Sequence, residues 1–144
     1  MANKIDLRSD TVTKPDREML DRMMSAPVDD DVFESDPSVN QLQEMAAQLF
    51  GKESALYCPS GTMTNQIAIQ LQAPPLSEVI TDESSHIYNY EGGGISFHAG
   101  ASVKLLKGDK GRITAEQIEH AINPEDVHKA RTSLVCLENT ANRG

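Results

Sequence analysis

The residues best placed to do chemistry are Ser60, Gly61 and Thr62, in a Pro59-Ser60-Gly61-Thr62 turn that joins an apolar run to a segment with Met63, Ile67 and Leu71 at helical spacing. Ser60 and Thr62 offer hydroxyls, and Gly61 lets the backbone approach a ligand closely. The first turn of the helix that follows has N–H groups without internal partners, at the positive end of its dipole, and so suits a phosphate. The same residues also make an ordinary helix cap, and both readings stand. No Gly-Lys-Ser/Thr follows, so the turn is not a P-loop. His86 is the second candidate, because it follows a strand-like run and precedes Tyr88 and Tyr90, a position open to a pocket. His98 follows a Gly-rich turn and has less support as a site residue; His120 and His128 stand among charged residues and read as solvated. No His-x-x-x-His or Cys-x-x-Cys spacing supports a metal centre. The acidic run Asp29-Asp30-Asp31 lacks the Gly and distal Glu of a calcium loop and reads as solvated.

These candidates need elements to hold them. Residues 7–14 read as an extended arm, and Pro15 opens a helix striped with Met19, Leu20, Met23 and Met24, a pattern of packing. Asp36-Pro37 starts a second helix that ends at Gly51. Strand 54–58 and helix 61–72 follow, the helix stopped by Pro74-Pro75. Strand 78–82 leads to a short helix or turn at 84–91 closed by three glycines; strand 102–107 precedes a helix with Thr114 and Gln117 as a capping box. A last strand covers 133–138. Alternating short strands and helices predict an α/β fold with a largely parallel sheet, and ligands bind such sheets at the carboxyl ends of the strands. Three polar segments lie there: 60–62, 82–86 and 138–140.

The chain has 144 residues, 38% of them hydrophobic, which is enough for a buried core; no repeat, low-complexity segment or interdomain linker is evident. A net charge of −9 without a Lys/Arg cluster argues against nucleic acid or an anionic membrane as partner and favours a small substrate. No membrane-length apolar run and no signal region at the amino terminus predict a cytoplasmic protein. Cys58 and Cys136 sit in apolar runs and read as free core residues.

Five segments in consistent order, 7–15, 30–37, 59–66, 86–93 and 137–144, resemble the low-specificity L-threonine aldolases, which belong to the β-eliminating lyases among the fold-type-I pyridoxal-phosphate enzymes. The resemblance implies part of a three-layer α/β/α large domain: residues 1–144 would be an amino-terminal arm and the first part of the cofactor-binding domain. It implies pyridoxal 5'-phosphate as cofactor, its phosphate on Ser60, Gly61 and Thr62, and its ring stacked by His86, which lies near the substrate hydroxyl. Ser9 would help hold the substrate carboxylate. The implied reaction is retro-aldol cleavage of L-threonine or L-allo-threonine to glycine and an aldehyde, in a homotetramer. Two other readings remain: a catalytically inactive fragment that keeps only the phosphate-binding turn, and a related eliminating lyase or racemase.

Ala141 stands where many such aldolases have His, and Phe33 where Tyr is usual. The lysine that bonds the cofactor and the aspartate that pairs its ring nitrogen come, in those aldolases, after the segment ending at Arg143-Gly144; none of Lys4, Lys14, Lys52, Lys104, Lys107, Lys110 or Lys129 sits in a matching motif. The 144-residue chain is therefore expected to be inactive alone. The resemblance also implies that strand 54–58 pairs with a seventh strand, so in this chain it is expected to lack a neighbour and to leave the fold marginal.

Overall fold

A computed structural model describes residues 5–142, and the chain divides into two compact units, Met1–Tyr57 and Cys58–Gly144. Lys4, Arg143 and Gly144, named above, lie outside the described residues.

In the first unit, Ser9 caps a 3-10 turn, Asp10–Val12, and helix α1 spans Arg17–Ser25. The helix starts later than the sequence reading placed it: Pro15 stands outside, and the Asp16 carboxylate accepts the Met19 N–H at 2.8 Å as the cap. Helix α2, Pro37–Phe50, agrees with its signals, with Pro at its start and Gly51 ending it in the left-handed conformation at φ 61°. Its cap, Asp36, is buried and accepts N–H groups from Val39, Asp29 and Ser38, the Val39 bond foremost in holding its carboxyl below the usual range. The apolar stripe of α1 does not pack as expected. Met19, Leu20, Met23 and Met24 of α1 are exposed, as are Leu42, Met45, Leu49 and Phe50 of α2.

The second unit carries the sheet. Its elements are α3 (Gly61–Gln72), β1 (Glu78–Asp82), α4 (His86–Asn89), α5 (Gly94–His98), β2 (Ser102–Leu106), α6 (Ala115–Ala121) and β3 (Thr132–Val135). Helix α3 has the predicted bounds and ends at Ala73, because a residue before proline is pushed out of helical geometry. The Thr114–Gln117 capping box is present at the start of α6. Helix α5 was hidden in the sequence by the glycines that precede it; Gly93, at φ 74°, makes the turn into it. Strand β3 stops short of the predicted 138: Cys136 still donates its N–H to Ile80 O at 2.9 Å, but Leu137 is exposed.

The sheet is parallel, in the order β2-β1-β3. Residues 54–58 are not a strand, correcting the secondary-structure reading. An extended segment becomes a strand only by pairing, and no strand among the described residues pairs with it; the Tyr57 N–H turns to the side chain of Gln43 at 2.9 Å. Leu56 is 68% exposed, in keeping with the expectation of a segment without a neighbour.

Every residue of β1 is buried, so both of its faces must be covered. One face meets α3 and α5, where Ile69, Ala73, Val79, Ile95, Ala99 and Ala101 form the core, with Leu134 and Cys136 half-buried at its margin. The alternate face carries Glu78 and Ile80. There the Lys104 ammonium lies 3.1 Å from Glu78 Oε1 and donates to Ala121 O of α6 and to Asn123 Oδ1. Helices on both faces make the α/β/α layering. Gly94 is required where α5 meets α3: a Cβ there would stand 2.3 Å from Gln66 Oε1.

Two measurements follow. Amide hydrogen exchange is expected to be slowest at Val79, Ile80 and Thr81 and fast at Leu56; protection at Leu56 equal to that of β1 would contradict the unpaired segment. Gly94→Ala should lower stability by about 1–3 kcal/mol through overpacking, read as a lower denaturation midpoint.

Candidate functional site

In a parallel sheet whose central strand is entered first, the chain leaves β1 for β2 on one side and returns to β3 on the other, which opens a crevice at the carboxyl ends of β1 and β3. A cleft of ≈ 580 Å³ lies there. Asn65, Ala68 and Ile69 of α3 form one wall, Ser85, His86 and Ile87 another, and residues 135–140 with Asn142 the third. Two of the three polar segments expected at strand ends, 82–86 and 138–140, therefore contribute to it.

His86 is the first residue of α4 and is held by two carboxylates. Its backbone N–H donates to Glu138 Oε2 at 2.5 Å, which ties the start of α4 to the segment after β3. Glu138 Oε1 also accepts the Asn142 N–H. The His86 ring nitrogen Nδ1 lies 2.9 Å from Glu91 Oε1, and Tyr90 packs beside the ring, tilted by 45° with centroids 5.5 Å apart. The imidazole remains 41% exposed while the Glu91 side chain is 0% exposed. Glu91 also accepts the side-chain amides of Asn65, at 2.8 Å, and Gln66. A carboxylate out of water is tolerated only when its oxygens are occupied by donors, and here both are.

Asp82 ends β1 and shapes the loop to His86. Burial works to raise its pKa, but the bonds from the Ser84 hydroxyl, the Ser84 N–H and the Gly108 N–H outweigh it and hold the carboxyl below its ordinary value. Cys136, in the third wall, has its thiol pushed up to about 11 by burial. Both cysteines are free, and both are half-buried rather than fully in the core.

The other predicted residues stand apart from the cleft lining. Ser60 caps α3, its hydroxyl accepting the Met63 N–H at 3.1 Å, so the capping reading is realised. Ser60, Gly61 and Thr62 are exposed, and of the N–H groups at the start of α3 those of Gly61 and Thr62 remain available to an anion. Thr62 and Asn65 lie on one helix, about 4.5 Å apart along its axis at 1.5 Å per residue, so α3 runs from the Ser-Gly-Thr turn into the cleft wall. Ser9 is exposed in the first unit, where its hydroxyl accepts the Thr11 N–H at 3.3 Å.

Sequence reasoning assigned no role to Asn65, Gln66, Glu91 or Glu138. The adjacent Asn65-Gln66 amides on a helix, and an acid five residues after His86, were the available signals. Ser85, also in the lining, has a buried hydroxyl with no hydrogen-bond partner among the described residues. That orphaned hydroxyl, the imidazole and the open helix N-terminus form a donor set that fits a small ligand carrying a ring and a phosphate. No cluster among the described residues could hold a metal ion, and no helix among them is long and apolar enough to cross a membrane.

Comparison with known proteins bears on the same residues. The family model described as "Beta-eliminating lyase" matches residues 6–144. Low specificity L-threonine aldolase of Escherichia coli (strain K12) is 43% identical over 139 residues, which cover 96% of this chain and 42% of that protein. Low-specificity L-threonine aldolase 1 of Arabidopsis thaliana is 46% identical, over 97% of this chain and 40% of that protein. The chain thus spans less than half the length of these curated relatives. A solved structure of Leishmania major threonine aldolase superposes with a TM-score of 0.63 at 25% identity, covering 70% of this chain and 30% of that one.

The depressed carboxyl of Asp82 sets a pH dependence. Its contribution to stability is present above the ordinary Asp pKa near 3.8 and is lost as pH falls through the lower folded value. Asp82→Asn should therefore flatten the fall in stability below about pH 4, followed by acid denaturation; an unchanged slope would contradict it. Cys136 should resist alkylation at about pH 8 until the chain unfolds, because little of its thiol is ionised there. Mass mapping of the labelled peptide reads this directly.

Proposed function

Because the chain belongs to the beta-eliminating lyase family, matched over residues 6–144, we propose that it is the amino-terminal arm and first part of the cofactor-binding domain of a pyridoxal-phosphate-dependent carbon–carbon lyase. Its substrates are β-hydroxy-α-amino acids, L-threonine or L-allo-threonine, cleaved to glycine and an aldehyde in a cytoplasmic homotetramer. The observation that carries this reading is the anchored imidazole of His86 in a cleft at the carboxyl ends of β1 and β3.

Each role falls to a named group. The open N–H groups of α3, with Ser60, Gly61 and Thr62, would hold the phosphate of pyridoxal 5'-phosphate. When bound, that cofactor draws electrons away from the substrate α-carbon. His86 would lie against its ring, and the imidazole would take the proton of the substrate β-hydroxyl, the group whose deprotonation allows the Cα–Cβ bond to part. Ser9 binds the substrate carboxylate. Ala68, Ile69 and Val135 supply an apolar wall beside the imidazole.

The exposed Ser60-Gly61-Thr62 turn at the start of α3 carries a second reading for the 144-residue chain, a phosphate-binding turn without the chemistry. The two readings separate on titration of 1–144 with pyridoxal phosphate, followed by borohydride reduction and mass analysis. A reduced adduct on one lysine supports the lyase in this chain. Phosphate-dependent binding without an adduct supports the turn alone, and absence of any binding overturns both. Replacing Thr62 by Ala should weaken binding about tenfold, the loss of one hydrogen bond to a charged group.

A further inference from the structure

The cleft contains a charged group that the reaction proposed above does not use. Glu91 has no exposed side-chain surface, yet lies on no Lys or Arg among the described residues: its contacts are Asn65, Gln66 and His86. The two amides donate one to each oxygen, Asn65 Nδ2 to Oε1 and Gln66 Nε2 to Oε2. Both oxygens are therefore presented as acceptors, and the nitrogen that shares Oε1 with Asn65 has to bring a hydrogen of its own. That nitrogen is His86 Nδ1, at 2.9 Å. A neutral imidazole carries one N–H, so a proton fixed on Nδ1 leaves Nε2 with a bare lone pair. The ring is 41% exposed and lines the cleft, and Nε2 is the ring nitrogen that Glu91 does not hold.

We propose that Glu91 is a positioning residue that fixes His86 in the Nδ1–H tautomer and so makes Nε2 the proton acceptor of a ring that lines the cleft. A histidine side chain free in water favours the opposite tautomer, with the proton on Nε2, which could not accept a proton from a hydroxyl. The support around Glu91 explains why it stays in place: Asn65 and Gln66 come from α3, and Gly94 gives the Gln66 amide the room it occupies. The other acid near His86, Glu138, takes the backbone N–H and leaves the ring nitrogens to Glu91. The catalytic consequence rests on the role proposed for His86, but the tautomer itself does not.

The test uses the 144-residue chain with uniform nitrogen-15 labelling, in long-range proton–nitrogen spectra taken about two pH units above the ordinary imidazole value of about 6.5. Nδ1 of His86 should resonate as a protonated nitrogen and Nε2 as an unprotonated one, with exposed His120 as the internal contrast. A His86 proton on Nε2 in the unmodified chain overturns the proposal without any variant. Glu91→Met, which removes the acceptor, should move the proton to Nε2; a folded Glu91→Met chain that keeps Nδ1–H also overturns it. Glu91→Gln should retain Nδ1–H, because Gln66 has an unpartnered Oε1 and can turn its amide to receive the new N–H. A switch to Nε2–H in Glu91→Gln would overturn the assignment of the effect to an acceptor oxygen. None of these readouts needs cofactor or turnover, so a failed aldolase assay and a failed tautomer assignment are distinct results.

Discussion

Strand β1 has to be covered on both faces and hydrogen-bonded on both edges, and most of the second unit can be read as the answer to that demand. Its five residues are buried, three of them polar, so each polar group needs a partner inside the protein. Glu78 finds Lys104, Asn123 and Thr132; Thr81 donates to Cys136 O; Asp82 accepts from Ser84 and Gly108. The partners at the amino end hold α6 and the neighbouring strands in register. Those at the carboxyl end shape the loops around the cleft. One strand thus sets both the layering of the fold and the place where a ligand can enter.

The site draws on the same arrangement. Helix α3 is capped by Ser60, continues as a wall of the cleft and supplies both amides that hold Glu91. A single rigid helix therefore relates an open N-terminus suited to anions to the group that orients His86. Ser9 belongs to the first unit, whose amphipathic helices present Met and Leu side chains to solvent. The two units differ in kind: one has a packed core, while in the other Ala47 is the only buried apolar residue among the described residues.

The elements most legible in the sequence were those whose ends carry local chemistry. Asp36-Pro37 to Gly51, Ser60 to Ala73, and Thr114 with Gln117 each declare a boundary within a few residues, and the structure has each of them. Strand β1 was legible from its β-branched run. What failed depended on distant partners. Residues 54–58 have strand composition, but composition cannot provide the neighbouring ladder; α1 has an apolar stripe, but a stripe does not state what covers it. In the site, His86 stood out as an imidazole after a strand. Glu91 did not, since its meaning comes from Asn65 and Gln66, 26 and 25 residues away.

Glu138 joins pieces of chain that are far apart in sequence: one carboxylate oxygen takes the main-chain N–H of His86, and the other takes that of Asn142. The rim of the cleft is thereby pinned like the frame of a window, by one carboxylate acting on main-chain N–H groups rather than by apolar packing. Any broadening or narrowing of what the opening admits, over evolutionary drift or in the hands of an engineer, has to come from exchanging the panes, such as Ala68 and Thr140, while the frame keeps its dimensions.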